Sequence, residues 1–217
     1  MDFETFNFRN ALAILQYRPE WGDLRSVIGT MTREMIIDKQ EEIAARRQRP
    51  KGAQVATNAL FREKLSHSPW QSESRLFEQD YLFGNSKTTG WKMDFLIRGD
   101  PLTEGSSTDF GMGVEIAFNH AEAIPWTLIR MNLAAQFEDV RRESRIDVGI
   151  GIFASEAFKS WGRLDGAAGT FEQAQRWLSI SRHAIPTPIL LIGLRPRDDE
   201  SARDWDPTDA FPGTGKG

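Results

Sequence analysis

Two acidic residues, Asp94 and Glu115, interrupt segments of otherwise apolar sequence, WKMDFLI and GVEIAF. A buried carboxylate must be paired, hydrogen-bonded or bound to a metal, because its transfer out of water is costly. If the two segments are neighbouring strands, both acids converge on one edge of a sheet, where a divalent cation relieves their repulsion. Carboxylate oxygens are the ligands that Mg²⁺ prefers, and a bound Mg²⁺ activates a water and stabilises charge on a phosphate. The alternative is that either acid faces solvent on a half-exposed strand.

The pattern of apolar residues predicts the elements that position these acids. Residues 91–97 alternate and are rich in large apolar side chains, which is typical of a strand, and 113–118 form a second strand after a loop over 98–112. We expect these two strands to be antiparallel. The apolar runs at 146–153 and 188–194 predict buried strands, the latter in the centre of the sheet. The remaining predicted elements are helices at 24–47, 53–65, 125–142 and 170–181 and a short strand at 77–83.

These elements predict an α/β fold with a mixed central β-sheet flanked by helices. The length of 217 residues suits one well-buried core. We predict a single domain over 1–196, with a core at about 53–196 and a helical N-terminal part at 1–50, followed by a flexible acidic tail at 197–217. The apolar stripe between Val27 and Ile43 has two interpretations. It packs on the sheet of its own chain, or it forms part of a dimer contact.

Composition excludes several classes of function. The chain has no Cys, which rules out disulfides, Cys-based zinc sites and thiol nucleophiles, and it has no phosphate-loop, HExxH or GxSxG motif. The acidic N-terminus is not a signal peptide, and no apolar run approaches the roughly 18 residues of a membrane span. We therefore expect a cytoplasmic protein without a membrane partner. The net charge of −4 argues against nonspecific coating of DNA, but the local charge in a cleft decides DNA binding.

Several segments together resemble the BglII-type restriction endonucleases, which carry the PD-(D/E)XK nuclease signature of an Asp, a variable loop and then Glu-X-X. The resemblance is carried by MDFLIRG at 93–99, GVEIAFNH at 113–120, RIDVGIGIF at 145–153 and AIPTPILLIGLRP at 184–196. The segment ATNALFREKL at 56–65 also resembles the helix that opens the core of that family. The resemblance implies a restriction-endonuclease-like αβββαβ core, extended by an extra helix and strand.

The same resemblance implies an activity and a set of site residues. Members of this family are type II site-specific endonucleases that hydrolyse a phosphodiester in each strand of double-stranded DNA, usually as homodimers at palindromic sites. The implied cofactor is Mg²⁺, with Mn²⁺ as a substitute. By motif position, Asp94 and Glu115 resemble the metal-binding carboxylates, and the backbone carbonyl of Ile116 corresponds to a further metal ligand. Asn119 and His120 lie just past the catalytic strand. They are either contacts to DNA bases or phosphates, since Asn can bond an adenine edge, or turn and capping residues.

Ala117 departs from the pattern of the family, in which this third motif position is usually Lys or Gln. Alanine can neither position a water nor stabilise a charge. Three explanations stay open: an engineered inactive variant, a natural relative that has lost cleavage, or substitution by a neighbour. Asn119 shares a face with Ala117 and Glu115 if the strand continues, which makes it a candidate catalytic residue, and Glu122 approaches from the start of the next helix. The alternative functions are an inactive DNA-binding relative and a hydrolase of other substrates that uses the same carboxylates.

Overall fold

The computed structural model describes residues 1–46, 52–67, 69–76, 92–97, 110–136 and 145–197. The strands in these ranges are β1 (Asp2–Phe8), β2 (Gln71–Arg75), β3 (Lys92–Ile97), β4 (Met112–Ile116), β5 (Val148–Ala154) and β6 (Ile189–Arg195). The helices are α1 (Ala11–Leu15), α2 (Pro19–Thr30), α3 (Arg33–Arg46), α4 (Gln54–Lys64), α5 (Ile124–Gln136), α6 (Glu156–Trp161) and α7 (Phe171–Ile180), with a 3₁₀ turn at Ala121–Ala123. None of these helices has the length and apolar character that crossing a membrane requires.

The strands form one mixed sheet in the spatial order β1-β6-β5-β4-β3-β2. The central strands β4, β5 and β6 are parallel to one another, whereas β1, β3 and β2 each pair with their neighbours in antiparallel fashion. From α4 to β5 the chain order is αβββαβ, and α6, α7 and β6 follow. The predicted α/β fold is therefore confirmed, as is the antiparallel pairing of the two strands that carry Asp94 and Glu115.

Apolar side chains cover both faces of the sheet. On one face, α1, α2, α4 and α6 pack through a cluster that includes Phe61, Phe95 and Phe158. On the other face, α5 and α7 pack through a second cluster that includes Met131 and Phe171. Every residue of β5 is buried, and β6 is buried up to its last residue. The two apolar runs are therefore interior strands with helices on both sides, as their sequences predicted.

The N-terminal apolar stripe packs on the core of its own chain. Val27, Ile28, Met31 and Ile36 are buried in the first cluster, which supports the intrachain interpretation over the dimer contact. The single helix predicted at 24–47 is wrong, because α2 ends at Thr30 and α3 begins at Arg33. The Thr32 hydroxyl accepts a hydrogen bond from the Met35 N–H at 3.3 Å, which satisfies one of the free donors at the start of α3.

The edge strand β1 is an element that the sequence analysis did not predict. It lies within the part at 1–50 that was expected to be helical, and it pairs with β6 from Asp2–Arg195 to Phe8–Ile189. The first strand after α4 is β2, at Gln71–Arg75, and the strand predicted at 77–83 lies outside the described residues. The acidic tail from 198 onward also lies outside them, so the domain bounds stay a prediction. On α5, Ile129 is 37% exposed.

Candidate active site

Antiparallel pairing brings Asp94 and Glu115 side by side. The register of β3 and β4 pairs Phe95 with Val114, so the next step along the ladder sets Asp94 against Glu115. At this point the carboxylate of Asp94 continues the ladder, because its Oδ2 accepts a hydrogen bond from the Ile116 N–H at 2.8 Å. The backbone of the neighbouring strand thus fixes the orientation of the Asp94 carboxylate. The two acids predicted from the sequence are adjacent at the end of these strands.

Both carboxylates lie in surroundings that favour their protonated forms. The pKa of Glu115 is raised to about 8, mainly by burial; Arg130 lowers it and the neighbouring Asp94 raises it by smaller amounts. Burial also raises the pKa of Asp94, although the hydrogen bond from Ile116 and the charges of Arg62 and Arg130 lower it. Desolvation therefore outweighs the nearby positive charges at both acids. In the absence of a metal, Glu115 carries a proton at neutral pH.

Arg130 from α5 lies directly over the acid pair. Its Nη1 is 3.1 Å from Oε1 of Glu115, and it donates a hydrogen bond to the Lys92 carbonyl at 3.0 Å. The contact with Glu115 does not have hydrogen-bond geometry, since Oε1 is buried without a hydrogen-bond partner among the described residues. Arg130 is therefore in close contact with Oε1 but does not satisfy it with a directed hydrogen bond. A cation that binds this oxygen has to share it with the guanidinium or displace the guanidinium.

A second group of charges surrounds Asp94 on β2 and α4. The carboxylate of Glu73 lies 3.2 Å from Nη2 of Arg62 and 3.5 Å from Nζ of Lys92. Glu73 has a positive φ of 49°, a conformation that is uncommon for residues other than glycine and that tends to occur at functional sites. These contacts connect α4, β2 and β3 beside the acid pair.

The residues after β4 leave the sheet and pair with another segment. Ala117 is buried, and its N–H still donates to the Ile152 carbonyl at 2.8 Å. Asn119 and His120 are exposed, and the Asn119 carbonyl accepts a hydrogen bond from the Gly169 N–H at 2.7 Å. Strand β4 ends at Ile116, so the condition under which Asn119 shares a face with Glu115 is not met. Among the described contacts, none joins Asn119 to either acid, and its catalytic role stays a prediction.

The segment that receives Asn119 and His120 is held by one lysine. Nζ of Lys159, on α6, donates hydrogen bonds to the carbonyls of Gly166 and Ala168, both at 2.8 Å. Ala168 forms a β-bridge with His120. Lys159 therefore fixes the loop against which the exposed residues at 119–120 are presented.

The acid pair has the donor chemistry that Mg²⁺ takes. Glu115 offers a buried oxygen without a hydrogen-bond partner, and the Ile116 N–H holds the carboxylate of the neighbouring Asp94. Within the described ranges, no group of three or more His, Cys, Asp or Glu side chains is placed to hold a metal. Mg²⁺ does not need such a group, because it commonly binds through one or two carboxylates and completes its octahedron with waters and phosphate oxygens. The role of the Ile116 carbonyl as a further ligand stays a prediction.

Four charged residues at or near the site were not predicted from the sequence. Arg130, Arg62, Glu73 and Lys159 were not singled out. Only Arg130 carried a signal, because it is the one charged residue in the apolar stretch IPWTLIRMNLAA of α5. The other three depend on pairing between distant segments, which local sequence patterns do not show.

Comparisons with known proteins converge on one group. A family profile described as restriction endonuclease BglII/BglIII matches residues 3–194. The crystal structure of restriction endonuclease BglII complexed with a DNA 16-mer superposes with a TM-score of 0.64 at 18% identity, over 91% of this chain and 78% of that one. The crystal structure of free BglII superposes with a TM-score of 0.52 at 16% identity, over 91% and 81% of the two chains. No curated protein sequence matches significantly.

Proposed function

Because this chain belongs to the BglII/BglIII restriction endonuclease family, we propose that it is a type II restriction endonuclease that cuts double-stranded DNA with Mg²⁺ bound by Asp94 and Glu115. The observation that carries the metal site is the acid pair where β3 begins and β4 ends. Glu115 is buried and has an oxygen without a hydrogen-bond partner, and Asp94 beside it is half-buried. Retention of this costly pair argues against the alternative of an inactive DNA-binding relative, which has no use for it.

The chain itself prepares the site for a cation and a phosphate. The Ile116 N–H holds the Asp94 carboxylate, and Glu115 gives up its proton when a cation binds, because the bound charge favours the carboxylate form. The Ile116 carbonyl would complete the protein ligands. When bound, Mg²⁺ supplies a water of lowered pKa and offsets negative charge on the phosphate. The chain contributes orientation and exclusion of bulk water through the buried strands around the acids.

The DNA contacts proposed for this chain follow β4 in the sequence. One of the two BglII structures contains DNA, and in this chain the exposed Asn119 and His120 follow the strand that carries Glu115. We assign these two side chains to contacts with bases or phosphates of the target, presented by the loop that Lys159 holds. Cutting both strands of a palindrome requires two active sites related by a two-fold axis, so the proposed form on DNA is a homodimer.

Isothermal calorimetry and a cleavage assay test this function together. Wild type should bind Mn²⁺ and Mg²⁺ and cut genomic DNA into discrete fragments with a common end sequence. Asp94→Asn and Glu115→Gln should lose metal binding and cleavage while keeping their circular dichroism spectra. The matched control is Glu41→Gln, which removes an exposed carboxylate on α3 and should change neither property. Unaltered metal affinity in both site variants would contradict the assignment of the ligands.

A further inference from the structure

We propose that Arg130 supplies, from α5, the positive charge that the strand motif lacks at position 117, and that its guanidinium group contacts the phosphate under attack. This inference rests on the proposed function, since it assigns a residue to the same reaction. It gives Arg130 the part of a catalytic residue that binds the substrate. The group neither gains nor loses a proton. The bond from the water oxygen to phosphorus forms and a bond from phosphorus to a sugar oxygen breaks. The attacking water gives up a proton to solvent, and the leaving sugar oxygen takes one from solvent, while the arginine stays a cation throughout.

The position of Arg130 carries the first step of this argument. Its Nη1 lies 3.1 Å from Glu115 Oε1 and donates to the Lys92 carbonyl at 3.0 Å. Its side chain is 29% exposed, whereas that of Glu115 is only 6% exposed. The guanidinium therefore joins the buried acid to the solvent, on the side from which a large substrate must approach.

Glu115, Ala117 and Arg130 lie on the same side of the sheet. Val114 and Ile116 are buried in the first cluster, so Glu115 between them points to the opposite face of the sheet. Ala117 is buried in the second cluster on that face, together with Ile124 and Leu128 of α5. Arg130 of the same helix contacts Glu115. The helix therefore brings a cation to the face on which a charged residue at 117 would stand.

The other two candidates for the missing charge, Asn119 and Glu122, do not carry a positive charge. Asn119 has no charge and follows the end of β4. Glu122 is an acid, so it would repel a phosphate. Arginine is always charged and binds phosphate oxygens through two parallel N–H donors. A divalent cation that binds Glu115 competes with the guanidinium for that carboxylate. The guanidinium can be displaced because it makes no directed hydrogen bond to Oε1.

The decisive experiment combines cleavage with metal affinity. In Arg130→Gln, cleavage should fall by about 10²-fold, the usual cost of one positioned electrostatic donor. Its Mn²⁺ affinity, measured by calorimetry, should change much less than its cleavage rate, because Arg130 is not a metal ligand. Arg130→Lys should keep part of the activity, since it keeps the charge. The matched control, Arg176→Gln, removes an exposed arginine from α7 on the same side of the sheet and should change neither quantity.

A second variant moves the charge back to the strand. Arg130→Gln combined with Ala117→Lys or Ala117→Gln should cut at least tenfold faster than Arg130→Gln alone. Wild-type cleavage by Arg130→Gln would overturn the inference. A loss of cleavage matched by an equal loss of Mn²⁺ affinity would overturn it as well, since Arg130 would then act only by maintaining the metal site. A wild-type protein that neither binds Mn²⁺ nor cuts DNA would instead refute the proposed function, and this inference with it.

Discussion

Replacing Glu115 by Gln should stabilise the metal-free protein at neutral pH, even though it destroys the proposed metal site. The two side chains have nearly the same shape, and Gln resembles the protonated form of Glu that burial favours in the folded state. The substitution therefore removes an ionisation that the fold opposes and leaves the packing around it in place. Function and stability are expected to move in opposite directions at this residue.

The size of the effect follows from the pKa of Glu115 in the two states. Burial raises this pKa from its ordinary value of 4.5 to about 8. A carboxyl group whose pKa is raised on folding contributes its full stability below the lower value and loses it as the pH rises toward the higher one. With about 1.4 kcal/mol for each pKa unit, the cost to wild type is about 1 kcal/mol at pH 5 and about 3 kcal/mol at pH 7. Gln has no proton to lose, so its advantage over wild type should widen by about 2.5 kcal/mol between these pH values.

Urea unfolding in the presence of a chelator measures this difference. The free energy of unfolding is determined for wild type, Glu115→Gln and the exposed-site control Glu41→Gln at pH 5 and pH 7, with the slope against urea kept as a check of two-state behaviour. The control should show no widening. A difference between Glu115→Gln and wild type that stays flat over this range would refute the reasoning, because it would mean that Glu115 ionises in the folded protein as it does in water.

Three further results are expected. As the pH is raised toward pH 8, Mn²⁺ affinity should increase about tenfold for each pH unit, with release of about one proton per ion, because Glu115 must ionise to bind. Calorimetry in buffers of different ionisation heat detects this, and a pH-independent affinity would contradict it. Lys159→Met should lower the free energy of unfolding by about 1–3 kcal/mol, because two carbonyls lose a charged donor, and should weaken DNA binding in gel-shift assays; the matched change Lys64→Met, at the last residue of α4, should do neither. Light scattering should report a particle of twice the chain mass on DNA, and a monomer that still cuts both strands would exclude the dimer.

The strands that carry the acids were predictable because an apolar run indicates a buried strand and the single acid within it indicates a candidate site. Asp94 and Glu115 each stand alone in an apolar run, and antiparallel pairing of two successive strands is the simplest connection between them. The interior strand β6 was predictable for the same reason, since only burial on both faces explains its continuous apolar sequence. The family resemblance then gave the two acids their proposed roles.

The elements that were not predicted depend on contacts between distant parts of the chain. Strand β1 is mixed in burial and owes its conformation to pairing with β6, which lies almost the whole chain away. The break between α2 and α3 rests on Thr32, a single capping residue in an otherwise helical pattern. Arg130 is marked in the sequence only as the one charged residue of an apolar helix. Its proposed partner becomes evident only when the fold places its guanidinium against Glu115.

The ladder between β3 and β4 has a consequence for how such an enzyme can diversify. The backbone pairs from Ile97–Met112 to Phe95–Val114 set Asp94 against Glu115. This register does not depend on the side chains of the fourteen residues that connect the two strands. Sequence changes in that connection can therefore accumulate without moving the acids, provided that β3 and β4 stay paired. Gly111 is an exception, because a Cβ there would meet the Arg145 carbonyl.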